Sequence, residues 1–396
     1  MIDVNDASST VSAPGAARTS HCPTLLPLTL CAAIVLVGAA AATAAETDGR
    51  TARGIYMDAC ASCHGADGRG LSKSRVGFDD PLPDFTECNF ATREPVSDWI
   101  AVAHQGGPVR GFSHVMPSFG AALGEDEIAL AVAHIRTFCP DGAWPRGELN
   151  FPRPIVTEKA FPEDEAVLTA VVPTEGEADA VDMEIVYEHR FGARNQFELV
   201  VPFGWAERVS TGPGEDGGDW TSGVGDIALG VKRAVWHSLE KGAIVAVTAE
   251  VVLPTGDEDA GFGKGTAIFE PFVSYGQALP AELFLHAQAG LELPADTDRA
   301  EEEAFLRAAI GRKFTAGRWG RAFSPMIEIL GARELAGGAA THWDIAPQLQ
   351  VTLNTRQHIS AAFGVRAPLN DTSTRDTQLM AYLLWEWFDG NLFEGW

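Results

Sequence analysis

The run Cys60-Ala-Ser-Cys63-His64 places two thiols in a C-x-x-C spacing with an imidazole directly after the second. Thiols so spaced reach both vinyl groups of a porphyrin from one turn of chain, and the following histidine falls under the iron as its proximal ligand. A bare C-x-x-C also serves redox pairs, zinc half-sites and disulfides, and the added histidine narrows these to attachment of a c-type haem. The expected chemistry is electron transfer at one covalently attached haem c, held by Cys60, Cys63 and His64.

The sixth ligand is expected downstream, in His114-Val-Met116-Pro117-Ser-Phe119. Methionine followed by proline in such a loop resembles the distal-ligand loop of class I cytochromes c, and the resemblance implies that Met116 completes a six-coordinate iron. A sulfur ligand favours ferrous iron and raises the potential, and a filled sixth site suits electron transfer better than oxygen chemistry. Two alternatives stay open: Met116 as a gap-filler in a core, or His114 as the ligand, which would lower the potential. His104 reads as a helix end, because Gly106 and Gly107 follow it. The iron ligands expected are thus His64 and Met116.

The surrounding residues supply helices to position this set. Arg53 to Cys60 carries Ile55, Tyr56 and Ala59 into the motif, and Ser97 is the expected N-cap of the helix running to His104. Glu125 to Cys139 places Ile128, Val132, Ile135 and Phe138 at helical spacing, with Asp126 and Glu127 as dipole-complementing charges at its start. The resemblance to class I cytochromes c covers about residues 48–142. Cys88 and Cys139 also lie there, and an oxidising compartment allows either a disulfide between them or two free buried thiols.

Covalent haem attachment requires an extracytoplasmic compartment, and the N-terminus agrees. Leu25 to Ala42 is an apolar run followed by Ala42-Thr-Ala44-Ala45-Glu46, which reads as a signal peptide cleaved near position 45. An uncleaved anchor helix is the alternative. Cys22 and Cys31 fall in the removed part. Among 396 residues the formal net charge is −25, which argues against nucleic acid and anionic membrane surfaces as partners.

Residues 143–165 are rich in proline and charge, as a linker or a strap lying against a surface would be. Beyond them the period changes from helical to alternating. Phe197, Leu199, Val201, Phe203 and Trp205 alternate with Gln196, Glu198 and Val200; Val245, Val247 and Ala249 alternate with Ala246, Thr248 and Glu250; Leu285, Ala287 and Ala289 alternate with His286 and Gln288. The same pattern recurs at 345–353, 359–366 and 378–387. The segments are long enough for tilted bilayer crossing, and tight turns (Phe191–Arg194, Asn354–Gln357) alternate with acidic loops (Gly212–Gly218, Thr255–Gly265, Asp296–Glu303). Trp205, Trp236, Tyr275, Trp343, Trp385 and Trp387 gather at strand ends as interfacial girdles would.

About 12 strands are expected, beginning near 166, 180, 195, 223, 243, 265, 282, 303, 321, 342, 357 and 376, an even number as a closed outer-membrane barrel requires. Val247 is assigned to the lipid face and Thr248 to the lumen, so arginine should be far milder at Thr248. The segment Gly223-Val-Gly-Asp226-Ile-Ala-Leu-Gly230, followed by Pro254-Thr-Gly256, resembles outer-membrane barrels of the MetA-pathway phenol-degradation family over about residues 175–390. The terminal Trp396 resembles the outer-membrane assembly signal.

The organisation expected is a signal peptide (1–45), a helical mono-haem cytochrome c domain (46–142), a proline-rich linker (143–165) and an antiparallel transmembrane β-barrel (166–396). In the outer membrane of a Gram-negative bacterium, short inner turns would put the haem in the periplasm. The leading function is electron transfer with a periplasmic redox protein. A channel or transporter for an unidentified small molecule, with the cytochrome as plug or redox gate, is the alternative. A haem enzyme such as a peroxidase needs an open sixth site, which Met116 argues against.

Overall fold

The computed structural model describes residues 49–174, 180–208, 219–258 and 260–387. The expected signal peptide with Cys22 and Cys31, the loop Gly212–Gly218, and Trp396 lie outside the described residues. The described residues fall within one compact unit.

Six α-helices come first: α1 (Ala52–Ala59), α2 (Ala61–His64), α3 (Lys73–Val76), α4 (Cys88–Ala91), α5 (Val96–Gln105) and α6 (Glu125–Ile135). Thr51 caps α1, its hydroxyl accepting from the Gly54 N–H at 3.1 Å. Ile55 and Tyr56 are fully buried where α1 packs on α6. α6 buries Ile128, Ala131, Val132 and Ile135, and Glu127 accepts the Gly124 N–H at 3.0 Å to close its first turn. α5 starts earlier than a Ser97 cap would give. Pro95, with φ −68°, is the capping residue, so Ser97 lies inside the first turn. Cys88 and Cys139 are bonded, with Cα atoms 5.3 Å apart, tying the start of α4 to the end of the last helical stretch.

The strands are β1 (Glu165–Pro173), β2 (Ala180–Phe191), β3 (Asn195–Arg208), β4 (Asp219–Val224), β5 (Ala228–Ser238), β6 (Ala243–Val252), β7 (Ile268–Leu279), β8 (Leu283–Pro294), β9 (Glu303–Arg312), β10 (Phe314–Thr315), β11 (Ala322–Glu334), β12 (His342–Thr352), β13 (Ile359–Pro368) and β14 (Gln378–Glu386). β4 and β5 pair with successive halves of β3, and β9 and β10 pair with successive stretches of β11, so each couple is one interrupted stave. The result is a twelve-stave antiparallel barrel, closed by β1 against β14 from Glu165↔Glu386 to Pro173↔Gln378. Closure leaves no open edge, the condition for a sheet to cross a bilayer.

The two faces differ as the alternation predicts. Val231, Val247, Val273, Leu306, Ile310, Ile327, Leu349, Phe363 and Leu383 are exposed on the outside, whereas Glu198, Lys232, Thr248, His286, Gln288, Glu328 and Gln348 are buried within. A continuous apolar exterior around a polar interior is that of an outer-membrane barrel. Trp205 and Trp236 are exposed, near opposite ends of their staves, while Trp387 is buried and stacks on Tyr187 at 5.8 Å.

Residues 149–164 run as a strap, and the surface they lie against is the inner wall. Phe151 stacks on Phe284 at 6.1 Å and meets His286 edge-on. Leu149, Phe151, Ala160 and Phe161 form one apolar core with Ala234, Ile244, Ala246, Phe284 and Met326 of the wall. Glu328 accepts the backbone N–H groups of Ile155, Val156 and Thr157 at 3.0, 3.1 and 2.7 Å. A segment so rich in proline lacks a ladder of its own, and buried side chains of the wall satisfy its amides instead.

Candidate haem site

The end of α1 and the whole of α2 bring the chemistry-bearing residues onto one turn. The N–H groups of Cys63 and His64 both point back to the Cys60 carbonyl, at 3.2 and 3.0 Å, which wraps the two sulfurs and the imidazole around a single coil. Gly65, at φ 77°, then turns the chain away, and Tyr56 locks that turn by donating its hydroxyl to the Gly65 carbonyl at 2.6 Å. Cys60 and Cys63 are half-buried free thiols, while Cys88 and Cys139 are joined. Burial pushes the Cys60 thiol up to about 11, with a smaller contribution from Cys63.

The His64 ring stacks on Phe85 at 4.9 Å, and Phe85 leans on Trp99 at 5.3 Å. Burial pulls its pKa down to about 4, so the imidazole is neutral and has a lone pair to give a metal. Its Nδ1 is buried without a hydrogen-bond partner. Two free thiols, a neutral imidazole and an apolar wall of Tyr56, Phe85, Trp99, Ile135 and Phe138 form a donor set that fits a covalently bound haem.

Met116 sits half-buried in a loop tied to the C-terminal end of α5. Its carbonyl accepts the Gly107 N–H at 3.0 Å, and Ser118 and Gly120 both donate to the His104 carbonyl, at 2.6 and 3.0 Å. Gly106 and Gly107 do more than stop the helix. A Cβ on Gly106 would lie 2.9 Å from the Met116 carbonyl, and one on Gly107 would collide with the Ser113 carbonyl. His114 is exposed, and the His104 ring packs near Trp319 at 5.9 Å.

Sequence reasoning missed how the helices are seated on the barrel. Arg110, buried, bonds Asp98 at 2.5 Å and the Trp319 carbonyl at 2.7 Å. Glu94 pairs with His358 at 2.8 Å, Arg318 reaches Glu125, and Arg194 donates to the Ala143 carbonyl at 2.9 Å. Arg136 lies 4.2 Å over Trp99, and burial pulls its pKa down to about 10. Arg194, Arg318, Trp319 and His358 belong to the short connections between staves. The helical domain therefore caps the short-turn end of the barrel.

Residues 47–135 match the family model described as "Cytochrome C oxidase, cbb3-type, subunit III", and residues 169–365 match the one described as "Putative MetA-pathway of phenol degradation". The chain thus carries a cytochrome c domain, which implies haem c, on a barrel of the phenol-degradation type in the outer membrane. No curated protein matches it. Among solved structures it is similar to the COG4313 outer membrane channel from Pseudomonas putida F1, with 12% identity over 59% of this chain and 99% of that one and a TM-score of 0.42. It is also similar to the KdgM porin (10% identity, 56% and 99% covered, TM-score 0.36) and the NanC porin (8%, 56% and 98%, TM-score 0.38).

Proposed function

We propose that this chain is a mono-haem electron carrier mounted on its own outer-membrane barrel, exchanging electrons with a periplasmic redox protein. The observation that carries this reading is the turn of free Cys60, free Cys63 and neutral His64, beside a bonded Cys88–Cys139 pair. The haem, when bound, supplies reversible one-electron exchange between ferric and ferrous iron. Cys60 and Cys63 would hold it through thioether bonds, and His64 and Met116 would offer an imidazole and a thioether to its iron. The wall of Phe85, Trp99 and Ile135 excludes water, which favours the less charged, ferrous state. With Met116 offered to the iron as well as His64, the domain would suit a carrier rather than an enzyme.

The barrel's part is to fix the haem domain at the short-turn, periplasmic end. The rival reading, a channel gated by the cytochrome, draws support from one observation: residues 149–164 run from the helical domain straight into the lumen, so that domain and lumen are coupled. In that reading the strap, not the helical domain, is the plug.

The test is replacement of both Cys60 and Cys63 by Ser in the full chain. Haem staining in a denaturing gel should disappear from the membrane fraction while the heat-modifiable barrel remains. Persistent covalent staining would sink the assignment.

A further inference from the structure

A cavity of about 360 Å³ lies where the helical domain meets the barrel rim, apart from the haem residues. Arg136 of the helical domain borders it, with Asp141, Trp144 and Arg146 of the linker and His237 and Leu239 at the β5–β6 turn. Three nitrogens of this lining are buried without a hydrogen-bond partner: Nε of Arg136, Nε of Arg146 and Nε2 of His237. Polar groups left unmet in this way cost free energy, and three on one cavity call for an acceptor within it. The Arg136 guanidinium is held in place, since it donates to the Ala91 carbonyl and, at 2.6 Å, to the Glu94 carbonyl, and covers Trp99.

Charge leads the same way. Arg194 adds a third guanidinium beside the linker, its Nε donating to the Ala143 carbonyl at 2.9 Å. Of the carboxylates here, Glu148 is paired with Arg146 at 2.7 Å, and Asp141 is exposed and accepts the Ala143 N–H at 2.9 Å. Glu94 and Asp98, the others near Arg136, are taken by His358 and Arg110. Arg136, Arg146 and Arg194 against Asp141 and Glu148 leave one positive charge, in a chain whose net charge is −25. A singly charged oxyanion cancels it, and guanidinium groups match the oxygens of a phosphate.

The surroundings of the cavity say which phosphate. Leu239 is 43% exposed at the tight turn, and Trp236, 42% exposed on the outer wall, has the Lys241 ammonium 5.8 Å over its ring. Exposed aromatic and basic side chains at the end of a stave mark the headgroup level of a bilayer. The cavity therefore stands level with the headgroups of the periplasmic leaflet.

We propose that Arg136, Arg146 and His237 bind the phosphodiester of a phospholipid headgroup, whose acyl chains lie along Leu239 and Trp236 on the outer wall. Each arginine Nε–H donates to a phosphate oxygen, and His237 adds a donor when its Nε2 carries a proton. The lipid joins three separate pieces of chain, the end of the last helical stretch, the linker and β5, and so fastens the helical domain to the membrane beside its own barrel.

The experiment uses the haem-loaded, full-length protein, stripped of lipid in detergent and titrated with dioleoylphosphatidylglycerol, with bound lipid counted by native mass spectrometry. About one phospholipid per chain should stay bound. Dioleoylglycerol, with the same acyl chains and no phosphate, should not. Arg146→Ala should weaken phospholipid binding about tenfold or more, with haem staining and heat-modifiable mobility unchanged. His237→Ala should weaken it too and covers a failure of the first variant to assemble. Inorganic phosphate is the competing arm and should bind far more weakly, because it lacks the chains. Phosphate held as tightly as the phospholipid would overturn the membrane as the source of the ligand. Dioleoylglycerol bound as well as the phospholipid, or unchanged binding in either assembled variant, would overturn the site itself.

Discussion

Gly106 adopts φ 83°, a conformation that L side chains resist, and it does so where the Met116 loop folds back onto α5. The loop is thereby held by backbone bonds at Gly107, Phe119 and Gly120 rather than by the methionine itself, leaving the thioether free for other work. Met116→Ala should therefore leave the domain folded while removing the iron–sulfur charge-transfer absorption and lowering the potential, as read by visible spectroscopy and redox titration. If His114→Ala produced that change instead, the coordination would be bis-histidine. The residues proposed to bind haem, Cys60, Cys63 and His64, could be named from the sequence because a covalent attachment motif is local. Phe85, Trp99 and Arg110 were not, since what they do depends on which distant residues fold against them. Asp226 lies between these cases. The motif around it was visible as a resemblance, but its role is structural: its carboxylate interrupts the β4–β5 stave and takes the N–H groups of Gly256 and Lys264, at 2.8 and 2.7 Å.

Strand positions followed from the period-two pattern, because one face must meet lipid and the other must not. What fills the lumen did not follow, since a proline-rich, charged segment reads alike whether it lies on an outer or an inner surface. This alters one expectation directly. Thr248 is 4% exposed within the filled lumen, so arginine there would be crowded and is no mild counterpart to the lipid face. Val247, 40% exposed on the outer wall, remains the sensitive site, and Val247→Arg should cost about 2–4 kcal/mol at mid-bilayer. The fitting control is Glu292→Arg, on the inner face directly opposite Glu303, where the new cation meets a carboxylate. Unfolding titrations in bilayers should separate the two, and equal losses would place Val247 off the lipid face.

The strap makes a second prediction at this scale. Glu328 is fully buried and accepts three strap amides together with the Thr157 hydroxyl, at 2.5 Å. Glu328→Ala leaves the Val156 and Thr157 amides and the Thr157 hydroxyl without that partner, each unmet one costing about 1–3 kcal/mol, while the Ile155 N–H keeps the Gln348 Oε1 at 3.0 Å. The strap should loosen from the wall, and conductance across a planar bilayer should rise above that of the wild type. Unchanged conductance would mean that the remaining contacts of the strap close the lumen by themselves.

At the scale of the whole molecule, orientation follows from which end carries the helices. Outer-membrane barrels keep short turns inside and long loops outside, and the helical domain is fastened to the short turns through Arg194, Trp319 and His358. The opposite end carries the connection between β6 and β7, where Asp257 and Glu258 are exposed and Glu258 pairs with Arg299 of the next long loop at 2.6 Å; Asp259, expected in the same loop, lies outside the described residues. A protease that cuts after acidic residues, added to intact cells, should therefore cleave at Asp257 or Glu258. The N-terminal product should keep the haem stain, because Cys60 and Cys63 precede the cut. Exposed Asp67 and Asp80 of the helical domain should be spared until the outer membrane is permeabilised. Cleavage at those two positions in intact cells would turn the barrel over and put the haem domain outside. Recovery of the uncut chain from the soluble periplasmic fraction would remove the barrel from the membrane altogether.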